Sequence, residues 1–285
     1  MRTVLVAGAT GHLGAHVLSQ LDALGYRTRA LVRDPARARR LRTPPHEVVT
    51  GDLLRPASLR GACDGADALV SCAGASMRLG GLGDRASFGA VDDRGNRALL
   101  DEAVRAGVRK VVYVSVFGAA ELAHTEYVAA HERFVGALDR SGIAHAVVRP
   151  TGYFSVFAEF LAMARRGRAM LIGDGEVRTN PVHEADVAAA CVASLRDDRR
   201  EIPIGGPDVL TRRRIAELAF EALGRAPRIT SVPPSLFSAI NALVAPINPR
   251  LHVLVEFGVE VSRRDMIAPA VGERRLEAHF AELAH

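Results

Sequence analysis

Lysine is almost missing from this chain. Lys110 is the only one, and arginine supplies the rest of the 37 basic side chains. Such a bias reflects coding composition rather than function. The arginines alternate with acids, and the two short runs at 37–40 and 212–214 read as solvated helix faces. A net charge of +5 spread in this way gives no reason to expect a nucleic-acid partner. Cysteine is also scarce. Cys63, Cys72 and Cys191 stand far apart and show no metal-ligand spacing. Reduced thiols and a cytoplasmic location are the expectation. No His/Asp/Glu group has metal-ligand spacing, so no metal is expected. No stretch of about 18 apolar residues exists, so no membrane-spanning helix is expected. The opening MRTVLVA leads straight into a strand pattern, and no signal peptide is expected. Internal repeats and low-complexity segments are absent.

What remains is an ordinary globular composition, with 48% hydrophobic and 24% charged residues over 285 positions. Short apolar runs at 4–7, 28–32, 47–50, 68–71, 110–115 and 146–148 alternate with helical patterns at 12–24, 95–105 and 126–140. Gly25, Gly107 and Gly142 close those helices. Strands alternating with helices of this length predict βαβ units and a parallel, doubly wound α/β sheet of Rossmann type. After Pro150 the pattern changes. Helices are expected at 154–166, 184–195 and 211–223, with a short strand at 202–204. An apolar segment then runs from Leu236 to Val261, broken by Pro246 and Pro249. The expectation is a core over 1–150 and a smaller substrate lobe over 151–285, packed together as one unit.

Between the first strand and the first helix lies Gly8-Ala9-Thr10-Gly11-His12-Leu13-Gly14. One glycine makes the tight turn, one lets the backbone approach a pyrophosphate, and one lets the helix pack closely on the sheet. The helix start then aims its free N–H groups and positive dipole end at phosphate. In a strand–loop–helix context this predicts a bound dinucleotide. The second strand ends Leu31-Val32-Arg33-Asp34. Arg33, with Arg37 close by, would pair with the 2′-phosphate of NADP, whereas Asp34 turned inward would serve the ribose of NAD. NADP(H) is the expectation and NAD(H) the alternative. Asp52 and Leu53, after the third strand, suit an adenine contact, with a plain turn as the other reading of Asp52.

These motifs resemble the atypical short-chain dehydrogenase/reductases, in their NmrA-like, NAD(P)H-binding branch. The resemblance spans nearly the whole chain. It rests on GATGHLG, LVRD and GDL at 51–53, on Asn96, and on AGVRKVVYVS before Ser115. It rests also on VVRPTGYF at 147–154, RTNPVHEADVA at 178–188 and the late IGGPDVLTRRRIAELAFEALG. It implies cofactor contacts from Gly8, Thr10, Gly11, His12, Leu13, Gly14, Arg33, Asp52, Leu53, Ala73, Gly74, Asn96, Val114 and His131. It implies further contacts from the loop Pro150-Thr151-Gly152-Tyr153 over the nicotinamide. A possible homodimer is also implied.

Active short-chain reductases are similar in carrying a Ser, a Tyr and a Lys, the last two as Tyr-x-x-x-Lys on one helix face. The tyrosine gives a proton to the carbonyl oxygen as hydride arrives, and the ammonium lowers its pKa. Here Ser115 and Tyr127 match, and His131 stands where lysine would be. Drift away from lysine in so arginine-rich a chain would give arginine, so the histidine is unexpected. An imidazole of ordinary pKa near 6.5 is largely neutral at pH 7. Three readings stay open: a working Ser115–Tyr127–His131 centre, a ribose contact without a tyrosine acid, or plain helix-surface residues. Glu132 points about 100° away from His131 on the helix. His183 is ambiguous, and Asp186 reads as a helix-start acid. The expected function is hydride transfer from NADPH to a small apolar carbonyl, quinone or enone. A catalytically silent NADP redox sensor with a protein partner, and an epimerase or dehydratase, are the alternatives.

Overall fold

The computed structural model describes residues 2–75 and 86–284. Its central sheet has seven parallel strands in the order β3-β2-β1-β4-β5-β6-β9. These are β1 (Thr3–Ala7), β2 (Arg27–Val32), β3 (Glu47–Thr50), β4 (Ala68–Ser71), β5 (Lys110–Val114), β6 (Ala144–Pro150) and β9 (Glu201–Ile204). β1 and β4 are buried almost throughout, because helices cover both faces of the sheet. On one face lie α1 (His12–Ala23) and α7 (Glu184–Ala193), whose Val17, Leu21, Val187 and Cys191 pack over Val4, Val6 and Val70. On the other lie α3 (Asn96–Arg105) and α5 (Glu126–Ser141), whose Leu99, Leu100, Phe134 and Leu138 cover Leu5, Leu69 and Tyr113. A short α2 (Pro35–Ala38) follows β2, a π-helical segment (Gly89–Gly95) leads into α3, and α4 (Ala119–Leu122) precedes α5. Strand order reverses between β1 and β4. A crevice therefore opens above their C-terminal ends, where open α/β sheets bind ligands.

A second core sits above that edge. It joins α6 (Phe154–Arg165), α8 (Arg212–Ala222), α11 (Leu276–Ala284) and the strand pair β7 (Ala169–Ile172) and β11 (Ile229–Val232). β8 (Arg178–Thr179) pairs with β10 (Leu210–Thr211) beside it. The helices α9 (Pro234–Val244) and α10 (Pro249–Val261) form a hairpin against α5. The chain does not leave the sheet for good at Pro150, because α7 and β9 return to it. A division at residue 150 therefore follows chain order rather than packing.

Asn180 ties the two cores together. It is buried, and its Nδ2 donates to the carbonyls of Gly206 (3.0 Å) and Ala268 (2.8 Å). Its Oδ1 accepts from the Ala268 amide (3.0 Å), and its own carbonyl accepts from Thr151 Oγ1 (2.6 Å). Removing the side chain strands three buried backbone groups, each costing about 1–3 kcal/mol when unpaired. Asn180→Ala is expected to lower unfolding free energy by roughly 3 kcal/mol or more in urea titration. A loss below about 1 kcal/mol would show that the tie carries no such weight.

Candidate active site

The glycine loop turns as the spacing requires. Gly8 has φ +74°, and a Cβ there would lie 2.6 Å from the Cys72 carbonyl oxygen. A Cβ on Gly14 would lie 2.2 Å from the Gly8 carbonyl oxygen. Both glycines are required by the fold itself. Gly11 differs: it is exposed, with φ −82°. It is the N-cap of α1, yet no side chain caps that helix and no acid lies in its first turn. The first N–H groups of α1 are left open to the crevice beside exposed His12 and Gly74. Half-buried Leu13 packs on the core beneath, and Thr10 lies half-buried within the loop.

At the end of β2 the acid and the bases separate. Asp34 caps α2, its Oδ1 accepting from the Ala36 amide at 2.9 Å. Arg33 and Arg37 are exposed and form no ion pair among the described residues. Asp52 makes a turn, its Oδ1 accepting from the Leu54 amide at 3.0 Å, and Leu53 packs against the backbone of Gly95. Asn96 is fully engaged inside the protein. Its Nδ2 donates to the carbonyls of Ala73 (3.1 Å) and Val91 (3.0 Å), and its Oδ1 accepts from Ser71 (2.6 Å). It fixes the loop after β4 and does not reach into the crevice. Thr151 likewise spends its hydroxyl on Asn180. Val114 and Pro150 are buried strand ends, Gly152 lies under the Phe157 ring, and half-buried Tyr153 starts α6.

Tyr127 and His131 come together on α5, with ring centroids 4.9 Å apart. Phe88 and Phe257 close on Tyr127 edge-on at 5.1 and 4.8 Å, and Leu254 of α10 joins the same cluster. His131 is buried. Its Nδ1 lies 2.6 Å from the Tyr113 hydroxyl, and its Nε2 is sealed from water with no hydrogen-bond partner. The Asp92 carboxylate stands 3.7 Å from that Nε2. Placing the proton on Nε2, facing the carboxylate, lets Tyr113 donate to Nδ1 and suits both contacts. Burial pushes the His131 pKa down to about 3, with Arg149 adding to the shift. Burial, and then Asp92, push the Tyr127 phenol well above its usual range.

Ser115 lies elsewhere. Its Oγ donates to Glu132 Oε1 (3.0 Å) and accepts from Arg149 Nη1 (3.1 Å), inside an ion pair joining Arg149 to Glu132 and Glu201. The structure thus brings Tyr127 and His131 together and engages the Ser115 hydroxyl with Glu132 and Arg149. Consecutive positions on α5 diverge, and Ser115 follows Glu132 rather than His131. His183 caps α7 through Nδ1, and Asp186 holds the Glu273 and Arg274 amides, so neither enters the crevice chemistry. No group of three His, Cys, Asp or Glu among the described residues could hold a metal. Sequence reasoning missed Tyr113, Asp92, Phe88 and Phe257. Only Phe257, inside the apolar segment expected to wall the pocket, left a signal.

The NAD(P)H-binding family matches residues 8–198. The chain belongs to that family. It is an NAD(P)H-dependent oxidoreductase. Divinyl chlorophyllide a 8-vinyl-reductase of Zea mays is 31% identical over 284 residues, covering 90% of this chain and 69% of that protein. The NAD(P)H azoreductase of Xenophilus azovorans is 28% identical, covering 85% and 86%. The NADPH complex of the quinone oxidoreductase QOR2 from Escherichia coli superposes with a TM-score of 0.74 at 22% identity, covering 99% of this chain and all of that one. Triphenylmethane reductase from Citrobacter sp., complexed with NADP(H), gives 0.76 at 19% identity with the same coverage. At these identities the two structures establish the fold. No helix among the described residues is long and apolar enough to cross a membrane.

A free imidazole takes up a proton near pH 6.5, and the buried ring only near 3. Between those values the unfolded chain binds the proton that the folded chain refuses. This contribution to stability is complete above 6.5 and is lost as pH falls toward 3. His131 is expected to stay neutral, with its proton on Nε2, from pH 8 to 5 in ring-nitrogen NMR. A titration midpoint between 6 and 7 would refute this environment.

Proposed function

We propose that the chain uses NADPH to reduce an apolar, electron-poor acceptor such as a quinone or a conjugated enone. The observation that carries this reading is the neutral His131–Tyr127 pair, walled by Phe88, Leu254 and Phe257, with the His131 Nε2–H turned to the Asp92 carboxylate at 3.7 Å, beyond hydrogen-bond distance. A buried donor without a full hydrogen bond costs about 1–3 kcal/mol. A ligand oxygen seated between Tyr127 and His131 would complete that bond once their packing opens to admit it.

The glycine loop fits the cofactor's pyrophosphate. α1 offers uncapped N–H groups with no competing acid, and Gly11 keeps a side chain away from them. Arg33 and Arg37 supply two unpaired guanidinium groups for a 2′-phosphate, while Asp34 is occupied as a cap. This arrangement favours NADPH over NADH. Ala73, Gly74 and the Pro150–Tyr153 loop would border the nicotinamide half, and Asn96 would act only by holding Ala73. When bound, the nicotinamide supplies a hydride from C4.

Tyr127 is the phenol that shares the apolar wall of Phe88, Leu254 and Phe257 beside His131, the Tyr113 hydroxyl being spent on His131 Nδ1. It lacks the ammonium that would acidify it, and its own pKa is raised. Such a phenol stabilises a developing oxyanion by hydrogen bonding and transfers its proton late. That chemistry suits acceptors that take hydride with little acid assistance, where simple ketones demand a stronger acid. Ser115 cannot orient the substrate oxygen while it is held between Glu132 and Arg149.

NADPH oxidation with menadione, a conjugated enone and a simple ketone tests the reading. Turnover is expected with the first two and at least about tenfold slower with the ketone, since one weakened acid contact costs that much. Tight NADPH binding with no turnover on any of the three would instead support the redox sensor. Arg33→Ala is expected to weaken NADPH about tenfold or more, the value of a charge-assisted contact, and NADH by less than about twofold. Equal losses for both nucleotides would overturn the NADPH preference.

A further inference from the structure

The arginine run at 212–214 divides in the folded chain. Arg213 pairs with Glu176 at 3.3 Å, and Arg214 with Glu221 at 2.5 Å and Glu217 at 3.6 Å. Arg212 has no carboxylate within ion-pair reach among the described residues. Its Nε is buried with no hydrogen-bond partner, and its Nη2 reaches only the Val261 carbonyl at a long 3.4 Å. The nearby Glu260 is taken by Arg263 (2.7 Å) and Arg264 (3.0 Å). Burial alone pushes the Arg212 pKa down, to about 10.

Three costs meet at this side chain. A cation is taken partly out of water, it finds no counter-charge, and it stands at the first position of α8, where the helix dipole is positive. Among the described residues only two contacts offset them, the Phe157 ring face 5.9 Å below the guanidinium and the long bond to the Val261 carbonyl at the C-terminal end of α10.

The position of Arg212 supplies the reason. Phe157 lies over Gly152, in the loop expected to border the nicotinamide. Val261 lies one turn beyond Phe257 on α10, about 6 Å along the helix, and Phe257 touches Tyr127 at 4.8 Å. The guanidinium therefore stands at the far end of the apolar wall that begins at Tyr127. We propose that Arg212 binds a carboxylate on the substrate, so that the acceptor is an apolar ring system with an acidic arm. Bidentate pairing with a planar carboxylate would neutralise the charge and fill the open donors. This inference rests on the crevice being the substrate site of the reductase reading.

The test is calorimetric binding of two inert probes, 2-naphthoate and 2-naphthylmethanol, to the full chain with NADP⁺ present. The wild type is expected to bind naphthoate at least about tenfold more tightly, the value of a charge-assisted pair. Arg212→Met should reduce that ratio to within about twofold of one, and Arg212→Lys should keep part of it. NADP⁺ affinity in both variants reports an intact glycine loop. A wild-type ratio near one, or a ratio that survives Arg212→Met, overturns the proposal. The ratio is read without turnover. Naphthoate binding through Arg212 in a chain that oxidises no NADPH would uphold the anion site and reject the reductase reading.

Discussion

The contact of Gly14 with the Gly8 carbonyl governs how the crevice is built. With no Cβ between them, α1 seats directly on the loop that leaves β1. Gly8, in a left-handed turn, presses in the same way on the end of β4. These close approaches fix the start of α1 over the reversal of strand order. Its unsatisfied N–H groups then face the same space as the loop after β4. Any side chain at either glycine would push α1 off the sheet and close the phosphate site. The residues proposed to meet the cofactor, from Arg33 to the Pro150 loop, are ranged around that opening.

Desolvation governs the other end of the crevice. His131 sits where the short-chain reductases that the sequence resembles would carry lysine, and the two side chains do opposite things in an apolar setting. A buried imidazole gives up its charge, so it keeps a fixed neutral tautomer and offers one directed N–H. A lysine would bring a cation and demand an anion. The same apolar surroundings raise the Tyr127 phenol. The pair thus loses acid strength, which is the ground for proposing an apolar, electrophilic acceptor. Arg212 stands at the far end of this lining, and its lack of a carboxylate partner among the described residues is what makes it informative.

Much of the fold was legible in sequence. The strands from Val4 to Val148, the helix stops at Gly25, Gly107 and Gly142, and the glycine loop all follow from local pattern, and the structure keeps them. Two-residue strands such as β8 and β10, and the short β7 and β11, carry too little periodicity to read. The site was less legible because it depends on which long-range partner each side chain finds. Ser115 ends its strand as expected, yet its hydroxyl belongs to Glu132 and Arg149, a choice made by tertiary packing. Asp34 could serve a ribose or cap a helix, and only the folded backbone shows the cap. The 212–214 run looked like one solvated face, but the first turn of α8 sends Arg212 inward while Arg213 and Arg214 meet acids.

The central claim is that a neutral His131 offers its Nε2 proton to a dinucleotide or acceptor lying over the glycine loop. A crystal structure with NADPH bound tests it most directly. The pyrophosphate is expected on the first turn of α1, the 2′-phosphate on Arg33, and a ligand oxygen within hydrogen-bond distance of His131 Nε2. A nicotinamide directed away from α5, with His131 Nε2 still unmatched, would contradict it.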